Sequence, residues 1–333
     1  TACQNSSSSK EQSGAEEIPV ETAKADMKVP VIFDTDANNE LDDQHALAYL
    51  LLNGQTFDVR GITVNATPSG GAIQNHYDEA LRIMKLCKAN STVPLYSGAD
   101  ANFTDIENSL DQPQFDGDEA VNFIIEEALR HTKQKLILIP VGKLTNIALA
   151  LKKEPQIVDH IRIVWLGSNY PEPGEYNQDS DIPAMNYVLS SYAPFEMVTV
   201  RYGDPSGTDA IKITQDEINE RMPGKGPHID EAITGRHGGT YTSFGDYSVN
   251  LFEHIDYYNE ARERALFDLA AVAIVKNPDW AASRLHPCPV FREGAWKEQP
   301  ENERQIIIWE NFDRRAIISD LFQTLDNYVI ANK

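Results

Sequence analysis

After residue 28, short apolar runs alternate with amphipathic stretches along most of the chain. The apolar runs predict buried strands at Val29–Phe33, Val59–Val64, Leu136–Val141, Ile161–Leu166 and Glu196–Arg201. The amphipathic stretches predict helices at Gln44–Leu52, Gly71–Lys88 and Leu144–Lys152. Near-continuous apolar strands separated by helices are typical of a parallel sheet that is covered on both faces. We therefore predict one large α/β domain over residues 28–333, with a mostly parallel central sheet flanked by helices, as in Rossmann-like open sheets.

Polar segments follow several of the predicted strands. They lie at 34–43, 65–71 and 167–181. Ligands of open α/β sheets bind at the carboxyl ends of the strands, where the loops converge, so we expect functional residues in these segments. A further segment, 222–248, is rich in glycine and aromatic residues. It predicts a long loop beside the site that could act as a lid.

The most unusual segment is 34–43, which carries five acidic side chains in ten residues and no Lys or Arg. Like charges packed this closely repel each other, so the cluster requires a counter-charge. Oxygen ligands suit hard dications such as Ca²⁺ or Mg²⁺. Capping of the following helix by Asp42 and Asp43 is the alternative, but it leaves Asp34 and Asp36 unexplained. We therefore expect a divalent metal ion at this segment.

The overall charge is strongly negative, with 29 Lys and Arg residues against 51 Asp and Glu residues and a formal net charge of −22. Binding to nucleic acid requires a basic face that neutralises phosphates, so we expect no nucleic-acid partner. The three cysteines are too few for a disulfide framework. The sequence has no Cys/His cluster of the kind that predicts a zinc site.

The first residues have a distinct character. Thr1, Ala2 and Cys3 are followed by a Ser-rich stretch, which resembles the end of a bacterial lipoprotein signal peptide. Residues 1–27 lack apolar periodicity and predict a disordered tether. On this interpretation Cys3 is lipidated, and the protein is exported to the periplasm or the outer surface and held to a membrane by acyl chains. The alternative is a flexible tail with an incidental cysteine.

Several segments carry a resemblance to a known family. Asp34-Thr35-Asp36 is followed by Asp42-Asp43, with a spacer longer than in the commonest form of the family motif. The other similar segments, in family order, are Ile62–Asn65, Pro94–Ala99, Gly142–Ala150, the set Asn169, Glu175 and Asn177, and Asp268. Together these segments resemble the inosine–uridine preferring nucleoside hydrolase family, and the similarities extend from about Val29 to Asn277.

The resemblance implies an enzyme of nucleoside salvage that cleaves the N-glycosidic bond of ribonucleosides with water, giving ribose and a free nucleobase. It implies that Ca²⁺ is held by Asp36, Asp43, the backbone carbonyl of Thr145, and Asp268. Asp36 would act as general base on a water that the Ca²⁺ holds. The implied substrate-binding residues are Asp42, Asn65, Asn169, Glu175 and Asn177. The family often forms dimers or tetramers, so a homo-oligomer is expected.

One position departs from the family pattern. Many members have a His immediately before the C-terminal metal-binding Asp, where it donates a proton to the departing base, and here that position is Phe267. His237, in a glycine-rich segment, is our candidate for the missing proton donor, with His254 as a second candidate. Stacking of aromatic side chains on the base is another route to activation. The candidates for stacking are Tyr170, Tyr241, Phe244, Tyr247 and Tyr257.

Two other functions are compatible with parts of the sequence. Phe267 fits a non-catalytic lipoprotein of the same fold that binds a nucleoside or a sugar. The run Phe33–Asp36 also resembles the start of a haloacid-dehalogenase phosphatase, in which Asp34 would be the nucleophile and Mg²⁺ the cofactor. The phosphatase hypothesis leaves the Asp42-Asp43 pair without a role.

Overall fold

A computed structural model describes residues 27–130 and 133–333. The strands are β1 Val29–Thr35, β2 Phe57–Val64, β3 Leu95–Tyr96, β4 Leu136–Pro140, β5 Ile161–Leu166, β6 Phe195–Val198, β7 Lys212–Thr214, β8 His228–Thr234, β9 Thr240–Ser243, β10 Glu263–Ala265, β11 Ala282–Pro287, β12 Val290–Arg292, β13 Ala295–Lys297 and β14 Gln305–Glu310. Cys3 and nearly all of the predicted tether lie outside the described residues, so their predicted roles stay predictions.

Helices connect and flank these strands. The α-helices are α1 Asp42–Leu51, α2 Ile73–Leu86, α3 Phe103–Ile106, α4 Asp118–Arg130, α5 Thr145–Lys153, α6 Tyr176–Ser180, α7 Ile182–Ser190, α8 Gln215–Arg221, α9 Phe244–Glu253, α10 Phe267–Lys276 and α11 Arg314–Asp326. Short 3₁₀ helices cover Glu107–Ser109, Pro155–Asp159, Thr208–Ala210 and Pro278–Trp280. Within the described ranges, no helix combines the length and the apolar character needed to cross a membrane.

Eight strands form the central sheet, in the order β11-β14-β6-β5-β4-β1-β2-β3. All neighbouring pairs are parallel except β11 with β14, which is antiparallel at one edge. The predicted mostly parallel sheet is therefore confirmed. The chain runs from β1 outward through β2 and β3, and then returns to β4 on the other side of β1. The strand order thus reverses beside β1, and such a switch point opens a crevice at the carboxyl ends of the strands.

The sheet separates two apolar cores. Val31 and Phe33 of β1 pack into one core, and Ile32 packs into the other, because successive side chains of a strand point to opposite faces. Helices α1, α2, α10 and α11 contribute to the first core, whereas α4, α5 and α7 contribute to the second. Burial on both faces explains why the central strands are apolar at nearly every position.

The segment 222–248 is not the long loop that its composition predicts. It contains the antiparallel pair β8–β9 and the start of α9. Gly238 and Gly239 turn the chain between the two strands with φ angles of 85° and 77°, which glycine adopts without strain. The hairpin is anchored to α2, because Arg82 Nε donates to the carbonyl of Thr234 across 2.6 Å. The prediction of a long loop beside the site was therefore wrong.

Candidate metal and substrate site

Five carboxylates lie at the carboxyl end of β1 and at two helix N-termini. Asp34 is the second-last residue of β1, and Asp36 follows that strand. Asp42 and Asp43 begin α1, and Asp268 lies in the first turn of α10. All five are buried, and none is more than 8% exposed. Helices α1 and α10 pack against each other, so residues more than 200 positions apart in the chain meet here.

The tightest group is formed by Asp42, Asp43 and Asp268, whose carboxylate oxygens lie within 4.8 Å of one another. Burial, together with the negative charge of Asp36, raises the pKa of Asp42 to about 7. Burial also raises the pKa of Asp43 and of Asp268, and the neighbouring carboxylates add to both shifts. Ionising this group in the absence of a cation is therefore costly.

The donor atoms of this group fit a hard dication. Every side chain in it offers oxygen, the ligand that Ca²⁺ and Mg²⁺ prefer. Oδ2 of Asp268 and Oδ1 of Asn65 are buried, and neither has a hydrogen-bond partner among the described residues. Unpaired buried acceptors of this kind are rare in folded proteins and gain most from a cation. The sequence analysis assigned Asp42 to ribose, but the structure places it with the candidate metal ligands.

Asp36 lies beside this group, held by a different contact. Thr67 donates to Asp36 Oδ2 across 2.6 Å, which leaves Oδ1 on the side of Gly142. A Cβ atom added at Gly142 would lie 2.8 Å from Asp36 Oδ1 and 2.9 Å from Asn65 Oδ1. Only glycine at this position lets the backbone approach the two side chains so closely. Burial raises the pKa of Asp36, as it does for the other carboxylates.

Asp34 connects neighbouring elements of the site through hydrogen bonds. It accepts hydrogen bonds from Thr63 at 2.6 Å, from Asn65 at 2.7 Å and from Asn146 at 2.7 Å. These donors belong to β2, to the loop that follows it, and to α5, so Asp34 joins three elements. Burial raises its pKa to about 6 despite the three donors. The sequence analysis gave no role to Asn146, which also donates to the carbonyl of Val64.

Two of the predicted ribose-binding residues after β5 line a cavity that also includes Asp42, Asp43 and Asp268. Glu175 caps α6 and accepts from the backbone N–H groups of Ser168 and Gln178, at 2.8 Å each, as well as from that of Asn177. Burial raises the pKa of Glu175 to about 7. Asn177 donates to the carbonyls of Val141 and Leu166, at the ends of β4 and β5. Both side chains therefore stand in fixed positions on the pocket wall.

Five other predicted residues do not line this cavity, and Asp36 is one of them. Asn169 Nδ2 donates to the carbonyl of Pro173 in its own loop, and its Oδ1 accepts from the backbone N–H of Tyr202, which follows β6. Asn65 is fully buried. Thr145 begins α5 and donates to Asp181 across 2.5 Å, so its predicted carbonyl ligation stays a prediction. His237 is exposed on the β8–β9 turn and stacks on His254 with ring centroids 4.6 Å apart, so the geometry does not support it as the proton donor.

A cavity of about 500 Å³ opens above the acidic group. Asp42, Asp43 and Asp268 line it together with residues that the sequence analysis did not assign to the site. Among them are the aromatic residues Tyr176, Tyr202 and Tyr258, and the basic residues Lys212 and Arg264. Phe267 also lines the cavity, and its ring contacts that of Tyr202 edge to face, with centroids 5.8 Å apart. None of the five aromatic residues proposed from the sequence for stacking lines this cavity.

The fold and the site define an α/β protein with an oxygen-lined candidate metal site at the switch point of its sheet. The sequence profile described as inosine-uridine preferring nucleoside hydrolase matches residues 31–318. The chain therefore belongs to the inosine-uridine preferring nucleoside hydrolase family, and the family prediction made from the sequence is confirmed.

Individual relatives match shorter parts of the chain. An inosine-uridine preferring nucleoside hydrolase from Leishmania major is 41% identical over 58 residues, which is 17% of this chain and 18% of the relative. The pyrimidine-specific ribonucleoside hydrolase RihB from Escherichia coli (strain SE11) is 28% identical over 193 residues, covering 51% of this chain and 59% of the relative. The chain thus matches less than two thirds of the length of either relative.

Solved structures share the fold at low sequence identity. A purine-preferring ribonucleoside hydrolase from Gardnerella vaginalis has a TM-score of 0.67 at 21% identity, over 89% of this chain and 98% of that chain. An inosine-guanosine nucleoside hydrolase has a TM-score of 0.70 at 16% identity, over 90% of this chain and 99% of that chain. At this level of identity the comparison establishes the fold alone.

Proposed function

We propose that this protein hydrolyses the N-glycosidic bond of ribonucleosides, releasing ribose and a free nucleobase, and that it requires Ca²⁺. The observation that supports the proposal most strongly is the convergence of Asp42, Asp43 and Asp268 at the floor of a cavity. Family membership supports a hydrolase of nucleosides. The names of the relatives differ in the preferred base, so the base preference of this protein is open to experiment.

The proposed Ca²⁺ ligands are Asp36, Asp43, the carbonyl of Thr145, and Asp268. Asp42 stands close enough to Asp43 and Asp268 to join them, or to hold a ribose hydroxyl. When bound, the dication supplies a lowered pKa for coordinated water and a fixed anchor for the ribose hydroxyls. A nearby cation also lowers the pKa of the carboxylates, which keeps them ionised at neutral pH.

Asp36 is the proposed general base. Its Oδ2 accepts a hydrogen bond from Thr67, which fixes the orientation of the carboxylate. Asp36 takes one proton from the attacking water as the new bond to ribose C1′ forms. Because the side chain is buried, bulk water does not compete for this proton.

The remaining acidic residues favour the transition state. Glycoside hydrolysis passes through a sugar ring with the character of an oxocarbenium ion, and buried negative charge stabilises that cation. Glu175 and Asn177 are proposed to bind the ribose hydroxyls, because both line the cavity and are held by backbone groups. Carboxylates accept hydrogen bonds from hydroxyls, and amides both donate and accept.

The test is a panel of purine and pyrimidine ribonucleosides with added Ca²⁺ or with a chelator, followed by chromatography of the free bases. We expect release of at least one base with Ca²⁺ and none after chelation. Release that survives chelation would contradict the metal requirement. No release from any nucleoside, with ribose binding retained, would favour the non-catalytic binding protein, and hydrolysis of para-nitrophenyl phosphate would favour the phosphatase.

We also propose that the protein is an exported lipoprotein attached through Cys3, on the basis of the sequence Thr1–Ser9. The test is expression of the full chain behind a bacterial lipoprotein leader with labelled palmitate. We expect label in the membrane fraction for the native sequence and none for Cys3→Ser. Label on both variants would contradict the assignment. A homo-oligomer is proposed from family resemblance, and sedimentation will test it.

A further inference from the structure

The cavity contains one deeply buried cation, the guanidinium of Arg264. Arg264 belongs to β10, is 5% exposed and lines the cavity. Its Nη2 forms an ion pair with Glu40, and its Nη1 donates to the carbonyl of Asp256 across 2.8 Å. The guanidinium also lies over the ring of Tyr258, 4.4 Å from the centroid. These contacts fix the side chain in position and orientation.

Burying the guanidinium of Arg264 with one donor unpaired is energetically unfavourable. Arg264 Nε is buried and has no hydrogen-bond partner in the described part of the chain. Burial lowers the pKa of Arg264 to about 10, so the group stays charged at neutral pH but is poorly solvated. Lys212, the other base lining the cavity, is 28% exposed and pairs with Asp209 across 3.0 Å. Arg264 is thus the more deeply buried of the two cations that line the cavity, and its Nε has no partner among the described residues.

The carboxyl groups that line the cavity are proposed to hold the metal and the ribose, so none of them is assigned to protonate the departing base. No histidine is found among its lining residues over the described ranges, and Phe267 stands next to Asp268. Burial raises the pKa of Tyr202 and of Tyr258 well above that of a free tyrosine, so both are poor proton donors. When the C1′–N bond breaks, its electron pair goes to the ring nitrogen of the base. That nitrogen then carries negative charge until it takes a proton.

We propose that Arg264 contacts the departing nucleobase and stabilises the negative charge that develops on it, with Glu40 and Tyr258 holding the guanidinium in place. The inference rests on the proposed nucleoside hydrolysis. In the reaction, the water oxygen bonds to C1′, one water proton goes to Asp36, and the base leaves with the bonding pair. Solvent then protonates the base, and Asp36 returns its proton to solvent. Arg264 keeps its protons throughout and acts through hydrogen bonds and charge.

The test compares two leaving groups in the full-length protein with Ca²⁺. A natural nucleoside has a poor leaving group, whereas para-nitrophenyl riboside releases a stable anion that needs no assistance. For Arg264→Gln we expect a loss of about 100-fold in kcat on the nucleoside, by analogy with removal of one charge-stabilising donor. We expect kcat on the nitrophenyl riboside to be unchanged. An equal loss on both substrates would overturn the inference.

Arg236→Gln is the matched control. Arg236 donates to the backbone carbonyl of the same Glu40 across 3.0 Å, but it does not line the cavity. We expect this variant to retain both activities. If Arg236→Gln reproduces the substrate-dependent loss, then the loss comes from a displaced Glu40 segment and not from a missing contact with the base. The inference then fails.

A second variant and a binding measurement cover the case in which Arg264→Gln does not fold. Arg264→Lys keeps the charge but loses the planar fork, and we expect an intermediate loss on nucleosides alone. Calorimetry should show weaker binding of the free base and unchanged binding of ribose. Unchanged binding of the base would contradict direct contact. If the native protein cleaves neither substrate, the proposed function fails; if it cleaves both and the variants lose both equally, only the role of Arg264 fails.

Discussion

The side-chain amide of Asn65 donates to Asp34 Oδ1 across 2.7 Å, and this bond orients the Asn65 oxygen away from Asp34. That oxygen is buried and finds no hydrogen-bond partner in the parts of the chain that are described. It lies next to Gly142, as does Asp36 Oδ1. The pair therefore links a carboxylate that orients the site residues to a buried acceptor beside Asp36.

Replacing the proposed base should stop turnover while the fold is retained. For Asp36→Asn, we expect kcat on the best nucleoside to fall by at least about 100-fold, because the amide cannot accept the proton from water. Circular dichroism should be unchanged, since Asn has the same size. Thr67→Val removes the hydrogen bond that orients Asp36 and should give a smaller loss. Near-normal turnover by Asp36→Asn would exclude Asp36 as the base.

Asp34 should affect metal binding without contacting the metal. Asp34→Asn places an N–H₂ group opposite the donors of Thr63, Asn65 and Asn146. We expect Ca²⁺ affinity to fall by about 10- to 100-fold, as for other residues that orient metal ligands. Calorimetric titration with Ca²⁺ measures the effect. Thr63→Val removes only one of the three donors and should lose less affinity; an unchanged affinity in Asp34→Asn would contradict the supporting role.

The close approach at Gly142 should be sensitive to a single methyl group. In Gly142→Ala the new Cβ would lie 2.8 Å from Asp36 Oδ1, so either the loop or the carboxylate must move. A displacement of this kind can reduce kcat by up to about 100-fold. Gly61→Ala is the control, because its Cβ would meet the ring of Phe123 at 2.5 Å. We expect Gly61→Ala to lower the thermal stability but not the Ca²⁺ affinity. A loss of Ca²⁺ affinity in Gly61→Ala that is absent in Gly142→Ala would refute the argument.

Removal of metal should make stability depend on pH. Burial raises the pKa of Asp34 to about 6 and that of Asp42 to about 7, above the ordinary value of 3.8. Groups with a raised pKa in the folded state contribute stability below about pH 4, and that contribution is lost as pH rises through 6 to 7. With chelator, Tm should therefore be lower at pH 8 than at pH 5. Saturating Ca²⁺ should restore most of the difference, and a Tm that rises with pH after chelation would contradict this prediction.

Thr145 allows its hydroxyl to be tested apart from its carbonyl. Thr145→Val removes the donor to Asp181 and should cost about 1 kcal/mol of the free energy of unfolding. Thr145→Ser keeps the hydroxyl and should cost less. Both variants retain the backbone carbonyl, so Ca²⁺ affinity should change little when it is measured at a temperature where both are folded. A large loss of Ca²⁺ affinity in Thr145→Val alone would show that the side chain is required at the metal site.

Five of the eight strands of the central sheet were predicted from their apolar runs, whereas β3, β11 and β14 were not. Val29–Phe33, for example, falls within β1, and Ile161–Leu166 coincides with β5. The hairpin β8–β9 was missed because most of its side chains are exposed, so its sequence carries no apolar pattern. Its register depends on the glycine turn and on contacts with α2.

The sequence by itself determined the fold class and the acidic character of the site, because burial on both faces and five clustered acids leave a direct signal in the order of residues. Only the tertiary structure decided which groups share one cavity. Asp42 joins Asp268 because α1 packs on α10, and Arg264 enters the cavity because β10 directly precedes α10. His237 does not line the cavity, and its hairpin is held against α2. Such proximities arise from the packing of whole elements, and no local pattern of residues records them.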